Sequence, residues 1–499
     1  MANQLRLFDI LTLINTNYNR TNNLLNMKTI NFIFRVHQRP NLKRYRFFEI
    51  GNDHYYYDDY ADETAVRQLT DQCYLEANRT LLEMIRSSNG KFKVSFAISG
   101  LALEQFERYA PEVIESFQEL AKTGSVEFLA TPNGHSLASI YDEDEFVIQT
   151  KLQTNKIKQL FGKTPTVYAN TALIYSDEIG DSIAKMGYKT IMIEGAKHIM
   201  GWKSTHYVYN HAYNNKVKLL VRDNKLSDDI NYRFSQWNWN EFPLTAEKFI
   251  GWIKASPAEE EIFNLFLGYE ALGALNHRDS GIFEFFKALP YHAIENGVAF
   301  STPSEVASKI KPVDTISVLH PMSWADEEKD LSAWCGNELQ NEALNKLYSL
   351  TKRVHLCSDL LLKIDWQRLQ DTSHFFFMTT KHYSNGMIYA EAIPYESPYD
   401  AFMNYMNVLS DFMERVKAQY PTSIENEELN PLLQTIYNQE QKIADLEEQL
   451  HACKGKTEKQ ATPKVKAEQK TTKPVKVTKP TKVVKVSTKI EPKTKPAKK

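Results

Sequence analysis

Cysteine is scarce: four in 499 residues, none in a Cys-x-x-Cys pair. So few thiols exclude a disulfide scaffold and point to a reducing, cytoplasmic compartment. No His-Glu-x-x-His pattern occurs either, so the spacing gives no zinc site, and neither metal nor cofactor is expected. Nowhere do about 18 apolar residues run together, so no spanning helix is expected. A Gly-x-Ser-x-Gly elbow, a P-loop and a dinucleotide fingerprint are all missing, which removes the motif support for serine hydrolases, NTPases and NAD enzymes. A large charge of one sign is missing too. The formal net charge is -2, so the chain as a whole is no polyanion binder.

Aromatic residues are plentiful at 12%, with 26 Tyr and 26 Phe. They suffice to line a cleft, although an aromatic-heavy core uses them equally well. The near-neutral total hides an asymmetry. Residues 454–499 carry 16 lysines against three glutamates, with Pro, Thr and Val between them. Mutual repulsion and proline predict a disordered tail with an electrostatic pull on anionic polymers. Before it, Leu432, Ile436, Ile443, Leu446 and Leu450 fall at heptad positions. About three heptads over 421–453 suit a short coiled coil, and 432–453 could pair two copies or pack back on the body. At the other end, Asp9 interrupts Leu5–Ile14 and an Asn-rich stretch follows, which argues against a secretory signal. Residues 1–26 read as an extension, and Met27 as an alternative start before a buried strand.

The body alternates short apolar runs with amphipathic stretches. Strands are predicted at Ile30–Val36, Phe92–Ile98, Val126–Ala130, Thr166–Tyr168, Thr190–Glu194, Lys218–Val221, Ile262–Tyr269 and Ala299–Ser301. Single helices are predicted over Glu104–Thr123 and Ser176–Met186. Buried strands alternating with helices require a parallel sheet covered on both faces. Seven or eight such units make a (β/α) barrel over 27–325, with its chemistry at the C-terminal strand ends. From 326 to 420 the pattern turns helical, with Asn341–Leu362 and Pro398–Lys417 clearest.

At these strand ends lie His37-Gln38, Gly124–Leu137, Asn170–Ile179, Glu194–His198 with Gly201–Ser204, Leu226–Ile230, Asn264–Gly273, Thr302–Glu305, Ser323–Glu328 and Pro398–Phe412. Together they make residues 28–415 resemble glycoside hydrolase family 57. The resemblance implies an incomplete (β/α)7 barrel with a following helical bundle, acting on α-glucans by retention. That chemistry needs two carboxyl groups about 5–5.5 Å apart, one as nucleophile and one as acid/base.

The sequence departs from the family at both positions. The nucleophile segment reads Asn170-Thr171-Ala172-Leu173-Ile174-Tyr175, with Ala172 where the resemblance places a Glu. The acid/base segment reads Phe266-Leu267-Gly268-Tyr269-Glu270, with Gly268 where it places an Asp. Ala169 stands where relatives carry Arg, and Thr131–His135 replaces a different pocket segment. His37-Gln38-Arg39-Pro40 departs from the usual His-Gln-Pro. Loss of the nucleophile removes the covalent route. Loss of the acid costs a further factor of about 10²–10⁴. No catalytic pair is therefore intact.

Glu270, two residues beyond Gly268 and on the same strand face, is the first fallback carboxylate. Asp177, Glu178, Glu194, Asp279 and Asp326 are others. His37, His135, Trp202, Glu270, Trp324 and Asp326 are the candidate sugar-binding residues, with Trp334 a further aromatic. Imidazoles donate to hydroxyls and indoles stack on pyranose faces, although each also fits as a packed residue with a satisfied polar tip. Asp228-Asp229 could hold a cation or simply be solvated. Three readings follow. One is an inactive amylase-like protein that binds an α-glucan or regulates an active relative. Another is a glycosidase or glucanotransferase with relocated carboxylates. The last is a scaffold working through its coiled coil and basic tail.

Overall fold

A computed structural model describes residues 27–381 and 393–419, with the single positions 439 and 442. The described residues within 27–419 all fall in one compact unit, 1–429, separate from 430–499. The expectations for 1–26, the coiled coil and the lysine-rich tail lie outside the described residues. Among its described residues the first unit carries ten strands: β1 Thr29–Val36, β2 Val94–Ile98, β3 Val126–Phe128, β4 Val167–Ala169, β5 Thr190–Ile193, β6 Val208–His211, β7 Lys218–Val221, β8 Ile262–Gly268, β9 Ala299–Phe300 and β10 Asp314–Ile316.

β1 pairs in parallel with β8 on one side and β2 on the other, and β3 follows β2. β4, β5 and β7 form a second parallel run. Single parallel bridges, Ala130 to Tyr168 and Arg222 to Asn264, join the two runs into a ring. The result is the expected (β/α)7 barrel, closed at two places by one residue pair each. β6 and β10 lie outside the ring, with β6 antiparallel to β7. Both were missed from sequence because they are short and polar: Val-Tyr-Asn-His and Asp-Thr-Ile.

Alternate side chains of a strand point to opposite faces. In β1, Phe32 and Phe34 point out and stack with Phe286. Ile33 points in and joins Ala97, Leu129, Val167, Ala169, Met192, Leu220, Ile262 and Phe266 to fill the barrel. Two residues further along the same strands stand Arg35, Ser99, Thr131, Glu194, Arg222 and Gly268. The strand period thus lays a polar ring on an apolar plug, at the C-terminal mouth.

Helix starts follow local chemistry. Ser99, Asp142 and Ser176 each accept a backbone N–H two or three residues into the helix they open. The single helix expected over 104–123 is instead two, Gly100–Tyr109 and Pro111–Lys122, because Pro111 starts a new helix and Ala110 is forced out of helical backbone. The stretch 341–362 likewise splits, with Asp359 capping Leu360–Leu369. The helices from Ser332 to Gln419 share one apolar cluster with the outer barrel face: Leu344, Trp366, Leu409 and Phe412 meet the group that holds Tyr168, Ile191 and Val221. No helix among the described residues is long and apolar enough to cross a membrane.

A buried polar knot fixes this junction. Glu145, fully buried on helix Glu143–Phe161, accepts from Gln149, Gln367 and Gln370 at 2.9 Å each. Its other oxygen meets His355 at 2.6 Å. Gln149 in turn accepts from the Gly134 amide and the Ser136 hydroxyl. Burial alone would raise the Glu145 carboxyl, but His355 and the amides outweigh it and hold it below its ordinary value.

Candidate functional site

The mouth is built from strand-end loops and roofed by the helical region. Asn170 pins the loop after β4 by donating to the Ile174 carbonyl and the Ser139 hydroxyl. Within it Ala172 and Leu173 are held at φ 48° and 54°. That left-handed backbone costs a residue bearing a Cβ and persists only where surroundings impose it. The Ala172 carbonyl accepts from the Trp324 amide at 2.9 Å. The Trp324 ring lies 5.3 Å from the Arg35 guanidinium and 5.9 Å from that of Arg222, with Phe266 edge-on at 5.8 Å. An indole between two cations is a favourable arrangement, and here it crosses the mouth.

Gly268 faces inward beside Arg35 in the strand register. A Cβ there would stand 2.8 Å from Glu270 Oε2 and 3.8 Å from Arg35 Nη2. The Glu270 carboxylate thus fills the space at position 268 and pairs with Arg35 at 3.5 Å. Glu194 is fully buried, paired with Arg222 at 3.2 Å and Lys329 at 3.8 Å. Burial dominates and raises its carboxyl above the ordinary range. Arg222 also binds Asp228 at 2.6 Å and the Phe266 carbonyl at 2.9 Å. Asp326, buried and at φ 47°, meets Lys381 at 3.5 Å.

Deeper, His37 and His135 stack with centroids 4.0 Å apart. His37 Nδ1 meets Ser99 Oγ at 2.9 Å, and His135 Nδ1 meets Thr372 Oγ1 at 2.9 Å. Asp371 Oδ1 accepts from the Ser373 amide at 2.8 Å, while Oδ2 lies 2.9 Å from His37 Nε2. Burial, then the neighbouring His37 and Arg35, keep His135 well below its usual value. Burial would raise Asp371, but His37 outweighs it and holds the carboxyl low.

Two small cavities open here. One of about 10 Å³ is lined by Arg35, Ser99, Thr131, Ala169, Ala172 and Phe266, among others. The other, about 40 Å³, is lined by Arg35, His37, His135, Ala172, Trp324 and Trp334, among others. The first has room for roughly one water and the second for a few. Neither holds a pyranose ring while Trp324 stays in place.

The structure thus brings His37, His135, Ala172, Trp324 and Trp334 together, with Gly268 and Glu270 reaching the same Arg35. It corrects the placement of Trp202, which stands 89% exposed beside a short surface helix and lines neither cavity. Asp228 and Asp229 are each held by an arginine, Arg222 and Arg233, with Asp229 buried and Asp228 partly exposed. Asp177 serves structure, accepting from Ser317 and the Val318 amide. Glu178 and Asp279 are exposed. Sequence reasoning missed Arg35, Arg222 and Asp371. The first two carry a legible signal, a cation closing an otherwise apolar strand. Asp371, a helix cap far along the chain, carries none.

A seven-stranded parallel barrel with a polar mouth under a helical roof defines the class: a (β/α)7-barrel protein with its polar residues at the C-terminal strand ends. Within it, the chain belongs to glycosyl hydrolase family 57, whose model matches residues 31–319. A Methanocaldococcus jannaschii protein provisionally named an alpha-amylase is 33% identical over 402 residues, covering 78% of this chain and 85% of that one. Solved structures share the fold. The branching enzyme of Pyrococcus horikoshii is 14% identical, with TM-score 0.54, over 82% of this chain and 95% of its own. An alpha-amylase of Thermotoga maritima is 13% identical, with TM-score 0.51, over 83% and 97%. A 4-alpha-glucanotransferase of Thermococcus litoralis is longer: at TM-score 0.47 and 15% identity, 65% of this chain spans 44% of it.

Proposed function

We propose that this family 57 protein does not hydrolyse glycosidic bonds and instead binds an α-glucan or related polysaccharide, or regulates an active relative that does. One observation carries the first half. Ala172 and Gly268 bring no titratable oxygen to the mouth, and the acids that reach it, Glu194, Glu270, Asp228 and Asp326, are each held by a cation. Retaining hydrolysis needs one free carboxylate as nucleophile and a second to protonate the leaving oxygen. The sugar half is supported by family membership and by the paired imidazoles and indoles that line the mouth. Sugar entry there requires Trp324 to swing aside.

The test incubates the full chain with amylose and maltooligosaccharides, measuring reducing ends and retention on amylose-containing gels. Retention without new reducing ends is expected. Turnover would overturn the inactive reading, and failure to retain any glucan would overturn the binding one. One observation favours an active alternative: the Glu270 carboxylate lies where a residue 268 side chain would be. If turnover is seen, Glu270→Gln must abolish it, or that relocation fails.

A further inference from the structure

We propose that His37, His135 and Asp371 form a binding site for one transition-metal cation of the zinc class. This goes beyond the glucan reading and does not depend on it. The three residues come from the end of β1, the loop after β3 and the cap of a short helix in the roof. All are buried, and one ligating atom from each lies within 4.8 Å of the others. Two imidazoles and a carboxylate are a donor set that suits zinc and its neighbours.

The orientation of each group fits the same conclusion. Both Nδ1 atoms are engaged by hydroxyls, Ser99 Oγ and Thr372 Oγ1, at 2.9 Å. When those hydroxyls accept, each ring is fixed in the tautomer that leaves the Nε2 lone pair free. Metal-bound histidines are oriented by this kind of outer hydrogen bond. Asp371 is aimed likewise, with Oδ1 tied to the Ser373 amide and Oδ2 turned inward. The three inward atoms, His37 Nε2, His135 Nε2 and Asp371 Oδ2, are buried and lack a hydrogen bond of proper geometry. His37 Nε2 and Asp371 Oδ2 also approach each other to 2.9 Å as a histidine–carboxylate pair. That separation is close to the ligand-to-ligand edge of about 3.3 Å that follows from tetrahedral bonds of about 2.0–2.1 Å.

The scaffold holds the cluster under constraint. His135 sits at φ 46°, where a residue with a Cβ is strained. The Gln149 and Glu145 knot clamps the Gly134–Ser136 turn and, through Gln370, the residue before Asp371. Three protein ligands leave a fourth position, and His37 and His135 both line the cavity of about 40 Å³ shared with Arg35, Ala172 and Trp324. An open fourth position is the arrangement of reactive rather than structural zinc sites.

The experiment uses the untagged full-length chain, stripped with chelator and titrated with Co²⁺ while its visible ligand-field absorption is followed. One Co²⁺ per chain with a tetrahedral spectrum, displaced by Zn²⁺, is expected. Outer partners of metal ligands alone cost about 10–100-fold in affinity, so His135→Gln and Asp371→Asn should each weaken binding by about 100-fold or more. His206→Gln is the control, because His206 lies between Asp223 and Glu260 in a separate histidine–carboxylate group; it should bind as the parent does. No stoichiometric uptake by the parent overturns the proposal. So does uptake that survives both ligand substitutions. Should those variants misfold by near-UV circular dichroism, X-ray absorption of the zinc-loaded parent decides. A nitrogen and oxygen shell with two imidazoles supports the site, and any sulfur or a third imidazole overturns it.

Discussion

Arg222 offers the sharpest test of how the mouth is held. It is 2% exposed and bridges Glu194, Asp228 and the Phe266 carbonyl, while its guanidinium faces the Trp324 ring. Replacing it by Met keeps much of the volume and removes the charge. Asp228 can then turn to solvent, but Glu194 cannot, being fully buried. At 3.2 Å the lost attraction is about 5 kcal/mol with an effective dielectric near 20, and the remaining Lys329 pair at 3.8 Å retains about 4 kcal/mol. Breaking one partner of a buried pair costs about 3–5 kcal/mol in practice, and Lys329 places Arg222→Met near the lower end. With an unfolding entropy of about 2.1 cal/mol/K per residue, that lowers the melting temperature of a unit of this size by roughly 3–5 °C.

The pH dependence carries the diagnosis. Burial already raises the Glu194 carboxyl, and loss of Arg222 raises it further. A carboxyl with a raised folded value penalises folding above its unfolded value, near pH 4.3, and not below it. The Arg222→Met deficit should therefore be small near pH 4 and grow toward neutrality, as read by thermal melts across that range. Glu194→Gln in the same chain should recover most of the loss, which a double-mutant cycle measures. A deficit that is flat with pH and not rescued by Glu194→Gln would refute the pairing.

Three other perturbations test the surrounding frame. His206 lies 2.7 Å from both Asp223 Oδ2 and Glu260 Oε2; burial lowers its imidazole, but the two acids outweigh burial and hold it above the ordinary value. Its contribution is complete below about pH 6.5 and is lost as pH rises through the folded value, so the melting gap between parent and His206→Gln should be widest near pH 6 and close in mildly alkaline buffer. Glu145→Gln sets an amide among three amide donors and His355, and should cost about 2–4 kcal/mol in urea unfolding. Gly134→Ala brings a Cβ to 2.7 Å of the Gln367 carbonyl; overpacking of that kind costs about 1–3 kcal/mol, and a neutral result in thermal melts would mean the turn is not seated against the roof helix.

The barrel was legible because parallel buried strands leave dense apolar runs. β1, β7 and β8 were read within one residue at each end. β6 and β10 escaped because their burial comes from packing outside the ring rather than from an apolar run. The helix over 104–123 was misread because amphipathic spacing continues across Pro111 even though the backbone cannot. At the site, strand and loop motifs located Ala172, Gly268 and His37. The roof contributes Asp371 and Thr372 through contacts more than 200 residues apart in sequence, and no local pattern announces such a meeting. Trp202 was misplaced for the converse reason: its neighbours follow the family pattern while its side chain turns outward.

The mouth gathers three cations, Arg35, Arg222 and Lys329. An uncompensated buried cation is costly, so each must find a partner. Arg35 has Glu270, whose carboxylate lies in the space opened at Gly268. Arg222 and Lys329 share Glu194, and both arginines face the Trp324 ring. The space and the charge are answered by the same residues, and the consequence is a mouth too full for a sugar unless Trp324 moves. Ala172→Glu with Gly268→Asp would supply the two acids of the proposed reading without clearing the space, so amylose turnover by that double variant, gated by the swing of Trp324, should rise when Trp324→Ala is added. Amylose hydrolysis that Trp324→Ala leaves unchanged would show that the indole is no obstacle.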